Sequence, residues 1–158
     1  MRVIVIGAGI GGLSAALSLH AAGIAVDVYE AVPELKPLGV GINLLPHAVR
    51  ELTELGLADR IAANAIPTAQ LRYANRFGQE IWSEPRGLAA GYRWPQYSIH
   101  RGALQMLLYA ALRERIGDAH IHLDREVVRV EENGTAHFTS RAGAPCTDSA
   151  DLIVAADG

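Results

Sequence analysis

Two different apolar periods meet near the start of the chain. Val3, Ile4, Val5 and Ile6 form an unbroken β-branched run, the pattern of a strand buried on both faces. From Leu13 the period becomes helical, with Leu13, Ala16, Leu17 and His20 on one side. Residues 24–29 are a second apolar run, so the opening segment predicts strand, helix, strand, with Gly23 where a helix C-terminal glycine belongs. Residues 31–45, with two prolines and two glycines, predict a loop. Pro46 opens a helix carrying Val49, Leu52, Thr53 and Leu55, closed by Gly56 and followed by a short helix over 57–65. Arg50 and Glu54 are spaced for a solvated pair.

Farther along, the period falls to two. Residues 70–83 read as a β-hairpin turning at 75–78, which does not fit a βαβ repeat and predicts an inserted antiparallel sheet. Residues 84–96 predict a loop whose Tyr92 and Trp94 serve either an aromatic ligand or the loop's own small core. Residues 97–100 predict a strand. Leu104, Leu107, Leu108 and Ala111 mark a long helix from Arg101 to about Ile116, closed by Gly117. A strand is predicted over 119–123 and a hairpin over 126–140 around Asn133-Gly134. A buried strand over 151–156 ends on Asp157-Gly158.

The turn between the first strand and helix carries the first chemistry. Gly7, Gly9 and Gly12 make G-x-G-x-x-G, with Gly11 inside it, and Glu30 follows at the end of the second strand. Gly7 permits a tight turn, Gly9 lets phosphates approach the backbone, and Gly12 brings the helix close to the strand. The helix N-terminus offers free N–H groups to a pyrophosphate. A carboxylate at Glu30 suits an unphosphorylated ribose, hence FAD or NAD rather than NADP.

The totals narrow the class. With 158 residues, 50% hydrophobic and 20% charged, the chain can bury one globular core. A net charge of -3 gives no electrostatic case for nucleic acid or an anionic membrane surface. The lone Cys146 suggests a reducing compartment and a cytoplasmic protein. Residues 3–26 lack charge and could span a bilayer by length, but their glycines and change of period read as buried core. No metal-ligand spacing and no catalytic constellation is present, so catalytic residues are unassigned.

Together these residues resemble the class A FAD-dependent aromatic monooxygenases, the para-hydroxybenzoate and salicylate hydroxylase group. The matching motifs are G-x-G-x-x-G with Glu30, the segment 37–43 reading PLGVGIN, and the segment 99–105 reading IHRGALQ. Residues 151–158 are similar to the start of the family's Gly-Ala-Asp-Gly motif, with Ala155 in place of its first glycine. Segments 37–43, 82–87 and 95–101 look most like the pyocyanin-forming phenazine branch.

The resemblance implies an α/β fold. It would be a Rossmann-like FAD-binding βαβ domain of the para-hydroxybenzoate hydroxylase type with an inserted antiparallel hairpin. Residues 1–158 would be the N-terminal part of the domain, and 68–97 the first piece of a substrate-side sheet. FAD would meet Gly7, Gly9, Gly11, Gly12, Glu30, Val40, Arg101, Val127 and Asp157. Glu30 would take the adenosine ribose, Val40 would offer its backbone, and Arg101 would contact the pyrophosphate and ribityl region. Val127 would border the adenine, and Asp157 would lie near the pyrophosphate and the path of the nicotinamide cofactor.

NADH or NADPH would be the reductant and a small aromatic molecule the substrate, hydroxylated through a flavin C4a-hydroperoxide. The chain end at Gly158 leads to three further expectations: a truncated domain, a catalytically silent isolated chain, and self-association through exposed apolar surface. An NAD-binding dehydrogenase domain and a non-catalytic nucleotide-binding protein are the alternatives.

Overall fold

The computed structural model describes residues 1–158. In chain order the elements are β1 (Arg2–Ile6), α1 (Ile10–Ala21), β2 (Ala25–Tyr29), β3 (Gly41–Leu44), α2 (Pro46–Glu54) and α3 (Ala58–Asn64). Then come β4 (Ile66–Thr68), β5 (Gln70–Ala74), β6 (Glu80–Pro85), β7 (Gln96–His100), α4 (Arg101–Ile116) and β8 (Ile121–His122). The chain ends with β9 (Glu126–Val130), β10 (Thr135–Thr139), β11 (Pro145–Ser149) and β12 (Leu152–Ala155). Two compact units result: Met1–Pro37 with Gln105–Gly158, and Leu38–Leu104.

The first unit holds a parallel sheet in the order β12-β1-β2-β8 and an antiparallel sheet in the order β11-β10-β9. Strand β1 is buried on both faces, as its unbroken apolar run requires. By the two-residue period, Ile4 and Ile6 share one face with Asp27 and Tyr29, their register partners on β2. Ile4, Ile6 and Tyr29 cluster there with Ala136 and Phe138 of the antiparallel sheet. Helix α1 packs against β1 and β2 and buries Leu13, Ala16 and Leu17, whereas His20 is only half-buried.

A polar network bonds the two sheets beside that cluster. Arg2 donates from Nε to Asp27 (2.8 Å) and from Nη1 to Asp148 of β11 (2.9 Å). The Tyr29 hydroxyl donates to Asp148 at 2.6 Å, while its ring stacks between His122 (4.4 Å) and Phe138 (4.1 Å). His120 and His122 both hydrogen-bond Asp27 Oδ1, at 3.0 and 3.2 Å. Burial alone would raise the Asp27 carboxyl, but its bonds with His120, Arg2 and His122 outweigh that and hold it below the usual range. The Arg2 hydrogen bond, followed by that from Tyr29, holds Asp148 well below it.

The second unit holds an antiparallel sheet in the order β3-β7-β4 and the separate hairpin β5-β6. Helix α2 begins at Pro46 as predicted and buries Val49 and Leu52. The hairpin turns at Asn75, whose side-chain oxygen accepts from Phe77 and Gln79 N–H, with Gly78 left-handed.

Several expectations need correction. The 31–45 loop contains β3, because pairing with β7 satisfies its backbone. The 84–96 loop contains a short 3-10 turn, Gly87–Ala90. The strand expected over 119–123 is a 3-10 turn, Asp118–His120, followed by the two-residue β8. The hairpin expected around Asn133-Gly134 is present as β9–β10, with a four-residue turn in which only Gly134 has positive φ and its N–H bonds Glu131 C=O. Strand β12 is an edge strand with Leu152 exposed, not a buried one. The expected Arg50–Glu54 pair is present at 4.0 Å, although Arg50 bonds its neighbour Glu51 more closely. Leu107 is half-buried, while Leu112 completes the buried face of α4.

A depressed carboxyl stabilises the fold above its unfolded-state pKa and loses that contribution as pH falls toward its folded value. The stability gap between the parent chain and Asp148→Asn should therefore be full near neutrality and shrink below roughly pH 4, the ordinary aspartate range. Urea melts across that range measure it, and a pH-independent gap would refute the assignment.

Candidate nucleotide site

The carboxyl ends of β1, β2 and β12 form one edge in the first unit, the edge where open parallel sheets bind ligands. Gly7 leaves β1 with φ +101°, a conformation that side chains rarely tolerate, and its N–H donates to Tyr29 C=O at 2.7 Å. A Cβ on Gly7 would come within 2.5 Å of Ala156 O and 3.0 Å of Asp157 Cα. A Cβ on Gly12 would overlap the Gly7 carbonyl oxygen. Neither position has room for a side chain, so the fold itself demands these two glycines.

Gly9 and Gly11 differ. Gly9 is the N-cap of α1 with φ -70°, and nothing lies within 4 Å of a Cβ built there or on Gly11. No protein group forbids a side chain at either place. Helix α1 has no side-chain cap and no acidic residue in its first turn, so no capping side chain occupies its N-terminal N–H groups. An anion seated on those donors would account for both glycines.

Glu30 stands beside this turn. Its Oε2 accepts from Ala8 N–H at 2.7 Å and its Oε1 from Val32 N–H at 3.0 Å. Each oxygen keeps a further lone pair for a ribose hydroxyl. Gln105 of α4 donates to the Ala8 carbonyl at 2.8 Å, so both polar groups of Ala8 are held. Gln105 was missed as a positioning residue, although it lies within the IHRGALQ segment; nothing local shows that a helix side chain reaches the glycine turn.

The structure brings Gly7, Gly9, Gly11, Gly12, Glu30 and Asp157 together at this edge. Asp157 is exposed just beyond β12. Val127, on β9, is half-buried and packs on the Ile4, Ile6, Tyr29, Ala136 and Phe138 cluster. The second unit carries the other two. Val40 is 72% exposed, its carbonyl accepts from Arg101 N–H at 2.9 Å, and a Cβ on Gly39 would lie 3.3 Å from Arg101 Cβ.

The family profile described as FAD binding domain matches residues 1–158. The chain belongs to this family. Its FAD binding domain is 48% identical over 162 residues to the Lysobacter antibioticus phenazine 1,6-dicarboxylic acid hydroxylase PhzS, covering 99% of this chain and 40% of the relative. It is 36% identical over 165 residues to an FAD-dependent urate hydroxylase of Klebsiella pneumoniae subsp. pneumoniae, covering 100% and 40% respectively. A crystal structure of Klebsiella pneumoniae HpxO complexed with FAD and uric acid matches with TM-score 0.77 and 32% identity, covering 100% of this chain and 39% of that one. The FAD binding domain thus spans about two fifths of the length of the curated relatives it matches. Its fold is the para-hydroxybenzoate hydroxylase type of α/β FAD-binding fold.

The two kinds of glycine should separate by stability. Gly12→Ala forces backbone apart and should cost about 1–3 kcal/mol or more, the scale of overpacking. Gly9→Ala should leave the melting midpoint nearly unchanged. Thermal denaturation of both variants without ligand checks this, and equal losses would contradict it.

Proposed function

We propose that this chain is the nucleotide-binding portion of a flavin-dependent monooxygenase that hydroxylates small aromatic molecules with NADH or NADPH as reductant. The observation that carries the reading is the uncapped, acid-free N-terminus of α1 with open space over Gly9 and Glu30 alongside. The activities for which the phenazine and urate hydroxylases are named favour an aromatic substrate, and a phenazine carboxylate first.

When bound and reduced by NADH or NADPH, FAD would supply oxygen activation, with one atom of O2 entering an electron-rich ring and the other leaving as water. This chain's residues bind and orient. Gly7 and Gly12 set the turn, the first-turn N–H groups over Gly9 and Gly11 hold the pyrophosphate, and Glu30 accepts from the adenosine ribose. Val127 borders the adenine along its strand, and Asp157 lies near the pyrophosphate and the nicotinamide path. In the second unit, Val40 offers backbone to the flavin, and Arg101 neutralises phosphate charge through its fork of donors. Residues 68–97 are the first piece of a substrate-side layer.

No helix is long and apolar enough to cross a membrane. The free Cys146 favours a reducing, cytoplasmic setting.

Flavin titration followed by fluorescence tests the reading. FAD should bind the parent chain, and Gly9→Val should abolish binding while circular dichroism stays native. Arg101→Ala should weaken binding by about 1.5–3 kcal/mol, the scale of a hydrogen bond to a charged group. Undiminished affinity in a folded Gly9→Val chain would overturn the site. In a protein of the relatives' full length, NADH oxidation with a phenazine carboxylate should yield a product one oxygen atom heavier by mass spectrometry.

A further inference from the structure

The second unit contains a cavity of about 510 Å³ between the start of α2 and the chain following β6. Its volume falls within the range typical of small-molecule sites. Three guanidiniums line it, those of Arg50, Arg86 and Arg93, against one carboxylate, Glu84. Glu84 is already paired with Arg86. The Trp94 ring lies 5.9 Å from the Arg50 guanidinium carbon and 5.4 Å from that of Arg93, so one indole holds two cations on the same wall. Arg50 pairs in turn with Glu51 of α2, so Arg93 carries the positive charge that remains on the lining.

A second observation favours an anion. Arg86 Nε is buried and has no hydrogen-bond partner, an uncommon state for a charged donor. Helix α2 adds to this, because its N-cap is Leu45 and no side chain caps its first-turn N–H groups.

The wall is built to stay in place. Arg86 N–H donates to Ala69 C=O at 2.8 Å, and Tyr92 N–H to Gly87 C=O at 3.2 Å. Gly87 has φ +54°, and a Cβ there would lie 2.5 Å from Gln96 N, so the loop closes tightly under the cavity.

We propose that this cavity binds the carboxylate of a planar aromatic acid, with Arg86 and Arg93 on the carboxylate and the apolar wall of Leu45, Pro46 and Tyr92 along the ring. The mixed lining favours a singly charged aromatic acid over a polyphosphate, which would also face Glu84. As the substrate-recognition element of an aromatic hydroxylase, the cavity rests on the function proposed above. Binding itself requires no flavin.

Isothermal titration of the full chain with naphthoate, and with neutral naphthamide as isostere, tests this. Naphthoate should bind at least tenfold tighter than naphthamide. Arg93→Gln, at an exposed position, should erase that preference without moving the melting midpoint, and Arg86→Gln should act in the same direction. Trp94→Leu, which frees two guanidiniums, should weaken naphthoate at least tenfold. Equal affinity for acid and amide, or naphthoate affinity indifferent to Arg93→Gln, would overturn the inference. Displacement of naphthoate by NADPH or inorganic phosphate at lower concentration would overturn it in favour of a phosphate site. Flavin titration of the same preparations separates the two claims: FAD binding without naphthoate binding refutes only this inference, and failure of FAD binding refutes the function it rests on.

Discussion

The first unit depends on a contact that leaves no space. Gly12 of α1 lies so close to the Gly7 carbonyl that a single Cβ would force the backbone apart, and a Cβ on Gly7 would come within 2.5 Å of the chain leaving β12. These two approaches bring the helix N-terminus to the end of β1. Ala8 is then held from both sides, by Glu30 on its N–H and Gln105 on its carbonyl. The donors that would face an anion are therefore fixed before any ligand arrives, which reduces the ordering cost of binding.

The antiparallel sheet gives this edge its backing. Ile4, Ile6 and Tyr29 supply apolar surface on one side, and Ala136 and Phe138 supply it on the other. Hydrophobic contact alone does not orient two sheets, since it lacks direction. Arg2, Asp27, Tyr29 and Asp148 add the directional part, four polar residues each bonded within one network. The Tyr29 hydroxyl is pushed up by burial and then by its bond to Asp148, so it remains a donor at any working pH.

The second unit follows another logic. Its sheet is antiparallel, and its exposed hairpin faces carry Tyr73, Ile81 and Trp82. Two of the cavity's three arginines, Arg86 and Arg93, come from the loop between β6 and β7, and Arg50 comes from α2. A loop on a fixed scaffold can gather like charges that a strand or helix face would space apart, and such places commonly serve recognition.

Short-range pattern in the sequence was enough for β1, α1 and β2, because an apolar run followed by a helical period is written in adjacent residues. The same holds for the glycine turn, Glu30, the hairpin at 70–83, and the helices opened by Pro46 and closed by Gly117. The nine residues proposed for nucleotide binding follow from the glycine motif and the family resemblance. Which of the glycines the fold needs, and which it leaves open, does not, because the groups that crowd Gly7 come from Ala156 and Asp157 at the far end of the chain. Strands β3 and β11 were illegible for a related reason: short or polar segments become strands only when β7 and β10 satisfy their backbone. The edge position of β12, the bonding of Arg2 to Asp148, and the gathering of Arg50, Arg86 and Arg93 were likewise decided in three dimensions. Period and propensity encode local conformation, whereas a pairing partner or a neighbouring charge is chosen only when distant segments meet.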